Sequence, residues 1–166
     1  MFILEYSCAE RAAGCRPLRE LAETVRVLRR NHEAWHIAPG QIAVLGFSAG
    51  GHLAASLGAL WTDPELGLPA GARPDALVLC YPVVSTKEFA HEESARCVSG
   101  GDEALREKLH LWDRVTPDFP PAFLWHGGED DSVPPENSLL LSVELKRHGV
   151  PLEYHLFGSG GHWIST

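Results

Sequence analysis

Basic side chains are in the minority, fourteen Lys and Arg against twenty-two Asp and Glu, for a formal charge of −8. An acidic chain does not favour a nucleic-acid backbone or an anionic membrane surface as partner. Long apolar runs are missing as well: nothing approaches the ~20 residues that cross a bilayer. The opening segment MFILEYSCAERAAG has one short apolar run with no basic stretch ahead of it. It does not match a secretory leader, and the expected location is cytoplasmic. Cysteine is sparse, at Cys8, Cys15, Cys80 and Cys97, with no C-x-x-C pair. That excludes a disulfide scaffold in a chain this long and leaves four expected free thiols. Nine histidines are present, but no H-E-x-x-H or comparable spacing, so no metal and no cofactor are expected.

What is present is an ordinary globular composition, 45% hydrophobic over 166 residues, which is one domain's worth of chain (1–166). Apolar runs and amphipathic stretches alternate. Phe2 to Tyr6 has the pattern of a short strand. Pro17 can open a helix, and Leu18, Leu21, Ala22, Val25 and Leu28 follow at helical spacing. Gln41 to Phe47 is a strand pattern leading through a Gly- and Ala-rich turn to a helix over about Ala49–Trp61. Ala76 to Val84 is a continuous apolar run, as expected of a strand covered on both faces. The polar stretch from Ser85 to Asp118 has room for one short helix over about Glu103–Leu111, capped near Asp102. A strand over Ala122–His126, a helix over Glu136–His148 and a last strand over Leu152–Phe157 complete the pattern. Strand–helix alternation with short connections predicts an α/β fold of about five mostly parallel strands with helices on both faces.

The segment QIAVLGFSAGGHLAA places G-x-S-x-G (Gly46, Ser48, Gly50) where a strand turns into a helix. A nucleophilic serine needs such a tight, strained turn, and the flanking glycines let neighbouring backbone come close. The helix N-terminus favours a developing oxyanion, with the Ala49 N–H as one donor. Alone, the spacing is a weak signal; in a strand–turn–helix context it is much stronger. A serine at neutral pH also needs a base and an orienting carboxylate. Downstream, FLWHGGEDDSVPPENS sets Glu129, Asp130 and Asp131 in a loop after a strand. His162 follows the last strand in LFGSGGHW. In a parallel sheet all these loops lie at the carboxyl edge of the strands.

With these pieces in place, the stretch from about Phe2 to Trp163 resembles the esterase/lipase-like branch of the α/β-hydrolase superfamily, which includes small carboxylesterases and acetylxylan-esterase-like proteins. EYSCAE, GFSAGGHLAAS, LVLCYPVVS, FLWHGGEDDSVPPENSLLL and GSGGHW carry the resemblance. It implies Ser48 as nucleophile, His162 as base and Asp130 as acid, four residues past His126 and four before Pro134. It also implies a small ester as substrate, with no cofactor. Members usually carry an H-G-G-G-like loop ahead of the strand matching Phe2–Tyr6, supplying further oxyanion donors. No such loop occurs here, and no closing helix follows His162. The expected fold is therefore an α/β-hydrolase shortened at both ends, with Phe2–Tyr6 either pairing directly onto Gln41–Phe47 or the chain being a piece of a longer protein. His52 is expected to pack or cap, His126 to serve as a structural hydrogen-bonder, and Trp163 to line the pocket or lie exposed. Trp35, Trp61 and Trp112 are expected to pack in the core. Two rivals to an esterase remain: a serine peptidase of the prolyl-oligopeptidase type, and a hydrolase-like fragment that binds without turnover.

Overall fold

Four strands alternate with helices in a computed structural model that describes residues 1–162; Trp163 lies outside the described residues. The order is α1 (Arg16–Arg30), β1 (Ala43–Phe47), α2 (Ser48–Leu60), β2 (Ala76–Cys80), α3 (Glu92–Ser99), α4 (Glu103–Lys108), β3 (Ala122–Gly127), α5 (Glu136–Arg147) and β4 (Leu152–Phe157). Short 3-10 segments occupy Ala9–Cys15 and Trp112–Arg114. All three strand pairings are parallel, and the strands lie in chain order, β1-β2-β3-β4.

That order has a physical consequence. A right-handed crossover puts its helix on a fixed side of the sheet, and a chain that always steps in one direction keeps returning to that side. Burial along the strands agrees. Leu77, Leu79, Ala122, Leu124 and His126 are buried beneath α2 and α5, whose Leu53, Leu57, Leu141 and Leu145 belong to the same core. Val25, Leu18 and Leu21 of α1 join it. On the opposite face Leu45 is 56% exposed, Phe47 49%, Phe123 39% and Phe157 47%. The expectation of helices on both faces is corrected for the described residues: α2 and α5 share one face and no described helix packs on the other, although Val78 of β2 is half-buried and Cys80 buried there.

The strand count is also corrected, from about five to four. Phe2–Tyr6 forms no ladder, so it does not pair onto β1. Side chains anchor this segment instead. The Ser7 N–H and hydroxyl both donate to the Glu20 carboxylate on α1, at 2.8 and 2.7 Å. Leu4 and Tyr6 pack against the core, while the Phe2 ring meets the exposed Trp35 at 5.5 Å. Trp35 is thus a surface residue, whereas Trp61 and Trp112 do pack on the core.

Strand β2 stops at Cys80, short of Val84. Tyr81 takes φ +36°, and Pro82 has no N–H to offer a ladder. The N–H groups of Val84 and Ser85 then donate to Asn137 Oδ1, both at 2.9 Å. The polar stretch holds two helices where one was expected. The Asp102 side chain caps α4 by accepting from the N–H groups of Ala104 and Leu105. That helix ends at Lys108 because Leu109, His110 and Leu111 turn into the core, where the Leu111 N–H donates to the Val84 carbonyl. The cysteines are free thiols. No helix among the described residues is long and apolar enough to cross a membrane.

Candidate active site

Ser48 follows β1 directly and opens α2 with φ +50°, in the left-handed region that costs an L-residue about 1–2 kcal/mol. Two glycines make this turn sterically feasible. A Cβ on Gly46 would lie 2.2 Å from the Gly50 carbonyl oxygen, and one on Gly51 would lie 2.7 Å from Pro82 Cβ. Gly50 itself is under no such constraint, since a Cβ there would meet the Tyr6 hydroxyl at an ordinary 3.5 Å. The tight glycine in the first turn of the helix is Gly51, one position beyond the motif. The first turn of α2 has no side-chain cap, so its N–H groups, Ala49's among them, face the site uncapped.

The loops after β3 and β4 supply the other two groups. They cross so closely that a Cβ on Gly127 would sit 2.2 Å from the Gly160 carbonyl oxygen. The Gly128 N–H donates to the Phe157 carbonyl, the Glu129 N–H to the Gly160 carbonyl, and the Gly160 N–H to the Glu129 carboxylate. Glu129 therefore serves as a clasp between the loops. Asp130 points inward: its carboxylate is fully buried, and Oδ1 accepts from the N–H groups of Ser132 and Val133 at 3.0 and 2.9 Å. Asp130 Oδ2 lies 2.8 Å from His162 Nδ1, and His162 Nε2 lies 2.8 Å from Ser48 Oγ. Of the three acids in the loop, Asp130 is the one bonded to His162. The Tyr81 ring meets the His162 ring edge-on at 4.9 Å and walls this side of the site. Burial pushes the Tyr81 phenol above its ordinary pKa, the nearby Cys80 and Asp130 adding to the effect, so it stays an uncharged wall.

The other expected residues fall into place. His52 is buried on α2, with Nε2 3.0 Å from the Leu109 carbonyl, and burial lowers its pKa. It packs away from His162, as expected. His126 is buried near the end of β3 and bonds the Val133 carbonyl and Ser138, with Asp130 Oδ2 3.2 Å from its Nε2. The sequence reading missed two neighbours, Tyr81 and Ser138. Both lie in segments that carry the resemblance, LVLCYPVVS and FLWHGGEDDSVPPENSLLL, but nothing in either marks the side chain as facing the site, and Ser138 sits in the first turn of α5, where a serine has ordinary turn-forming reasons to occur. A cavity of ≈ 140 Å³ borders Ala49, walled by Tyr6, Cys15, His52, Leu53, Val98 and Leu109. Among the described residues no group of His, Cys, Asp and Glu could hold a metal ion.

A serine hydroxyl donating to an imidazole, itself donating to a buried carboxylate, can deliver an alkoxide-like nucleophile without a free charge in water. Known proteins share this fold. The structure of an acetyl ester-xyloside bifunctional hydrolase from Caldicellulosiruptor lactoaceticus superposes with TM-score 0.83 and 42% identity, over 92% of this chain and 58% of that one. A carboxylesterase from Lactobacillus plantarum WCFS1 matches with TM-score 0.78 and 32% identity, over 89% of this chain and 55% of that one. By sequence, an acetylxylan esterase of Xylanibacter ruminicola is 26% identical over 155 residues, which are 88% of this chain and 30% of that protein. The chain thus spans little more than half of the two structures and less than a third of the xylan esterase. The model of a family with the alpha/beta hydrolase fold matches residues 4–165, and the chain belongs to that family.

Proposed function

We propose that this chain carries the active site of a serine hydrolase acting on small carboxylic esters, acetyl esters foremost. The observation that carries the reading is the continuous line of hydrogen bonds from Ser48 Oγ through His162 to Asp130 Oδ2, 2.8 Å at each step. Ser48 attacks the acyl carbon while His162 Nε2 takes its proton. The tetrahedral oxyanion forms beside the Ala49 N–H at the start of α2. His162 then returns the proton to the leaving alcohol, and water repeats the sequence on the acyl-serine. Asp130 holds His162 in the Nδ1–H tautomer and stabilises the imidazolium. No cofactor takes part. The names of the similar proteins, an acetyl ester-xyloside hydrolase, a carboxylesterase and an acetylxylan esterase, support a short acyl group. The small cavity beside Ala49 is in keeping with one.

The test is hydrolysis of p-nitrophenyl acetate by the wild type and by Ser48→Ala. The expected result is loss of about 10⁴-fold or more in kcat for the variant. Equal rates in the two proteins would overturn the proposal, and faster cleavage of a dipeptide amide than of the ester would make it a peptidase.

A further inference from the structure

Behind Asp130 lies a second imidazole that this chemistry does not use. His126, near the end of β3, is completely buried. Its Nε2 lies 2.9 Å from the Val133 carbonyl oxygen and 3.2 Å from Asp130 Oδ2, and its Nδ1 lies 2.7 Å from Ser138 Oγ on α5. A carbonyl oxygen can only accept, so Nε2 carries the proton. Nδ1 is then a lone pair, and the Ser138 hydroxyl donates to it. The partners therefore assign the tautomer. Burial pushes the His126 pKa below its ordinary value, outweighing the opposite pull of Val133 and Asp130, so the ring is held neutral.

The arrangement completes the carboxylate of Asp130. Oδ1 accepts from the Ser132 and Val133 N–H groups, and Oδ2 accepts from His162 Nδ1 and lies 3.2 Å from His126 Nε2, whose one N–H is aimed at the Val133 carbonyl and shared with Oδ2 as the longer branch. A neutral donor restrains Oδ2 without cancelling its charge, which a Lys or Arg at the same place would do. We infer that His126, held by Ser138, is a positioning residue that fixes the Asp130 carboxylate in the plane His162 needs. The inference rests on the proposed Ser48–His162–Asp130 chemistry and extends it by one residue pair, running into α5.

The experiment compares His126→Phe, His126→Gln and Ser138→Ala with the wild type. It reads kcat and KM on p-nitrophenyl acetate, and the far-downfield proton NMR signal of the His162 Nδ1–H. The Phe variant is expected to lose about 100-fold in kcat with KM within about twofold, the scale of a small misplacement of a reacting group. The Gln side chain can offer an N–H toward the same carboxylate oxygen, and that variant is expected within about tenfold of wild type. Ser138→Ala is expected to lose about three- to tenfold in kcat, and its downfield signal is expected to shift or broaden, as in His126→Phe. Wild-type kcat in His126→Phe or Ser138→Ala would overturn the inference. So would a Gln variant as impaired as the Phe variant, or a downfield signal unchanged by either substitution. Should His126→Phe not fold, Ser138→Ala and His126→Gln decide on the same criteria. Should the wild type itself prove inactive, the ester-hydrolysis reading fails separately, and the NMR signal alone decides whether His126 orients Asp130.

Discussion

Ser48 Oγ lies 2.8 Å from His162 Nε2, although 114 positions separate the two residues in the chain. Only the parallel arrangement of β1 and β4, whose carboxyl ends open on one edge of the sheet, brings them together. The position of His162 depends in turn on Asp130, whose buried carboxylate meets its other nitrogen at 2.8 Å. Asp130→Asn keeps the shape but offers an amide where the carboxylate oxygen stood, favouring the wrong imidazole tautomer. The expected outcome is a fall of about 10³- to 10⁴-fold in kcat on a short ester with KM little changed. Steady-state kinetics on a correctly folded variant checks it.

The glycines of the elbow should not respond alike. Gly46→Ala drives a Cβ to within 2.2 Å of the Gly50 carbonyl, so β1 or the first turn of α2 has to move. A loss of about 3 kcal/mol is expected, with the geometry of Ser48 disturbed as well. Gly50→Ala meets only an ordinary contact with the Tyr6 hydroxyl. Because it sits in a helix, it is expected to be neutral or to gain about 0.5–1 kcal/mol. Urea unfolding of the two variants side by side gives the comparison, and equal destabilisation would contradict it.

The open face of the sheet is the least ordinary feature of the fold. Parallel sheets are normally covered on both sides, yet Leu45, Phe47, Phe123 and Phe157 share a face that no described helix covers. The rings of Phe47 and Phe157 are linked through contacts of Phe47 with Tyr81, Tyr81 with Trp125 and Trp125 with Phe157. Such a surface binds hydrophobic dyes and promotes association. The double substitution Leu45→Lys, Phe123→Lys is expected to reduce dye fluorescence and raise solubility. Stability should change by only about 1 kcal/mol, since neither side chain is buried. Unchanged dye binding would show that the face is not open in solution.

Three buried histidines set the dependence of stability on pH. Burial holds the pKa of His52, His110 and His126 below the ordinary 6.5. The unfolded chain then binds protons at a higher pH than the folded one, so stability rises with pH where the two states differ. The stabilisation is in full effect above about pH 6.5. It is lost as pH falls from there through the folded-state values. Thermal unfolding between pH 7 and pH 4.5 is expected to show a midpoint that falls toward acid. His52→Gln and His126→Gln should each flatten that slope. A midpoint independent of pH over this range would contradict the assignment.

Local chemistry made much of this legible in the chain. A helix with Pro17 in its first turn, a cap at Asp102 and a last strand over Leu152–Phe157 follow from patterns within a few residues, and the structure reproduces them. The positions of Ser48, Asp130 and His162 at strand ends follow from the same patterns. Other features depended on what lies across the molecule. Phe2–Tyr6 has strand composition, but a strand exists only with a partner, and Glu20 holds Ser7 away from any ladder. Whether a helix covers one face or two is set by the order of strands, which no local pattern encodes. Likewise, nothing near His126 in sequence shows that its ring bridges Ser138 and Asp130; the packing of α5 on β3 does that. The sequence by itself determined which residues can do chemistry, because backbone propensity and side-chain type act locally. The tertiary structure alone decided which of them meet and which apolar surface stays open, because those depend on distances between residues far apart in the chain.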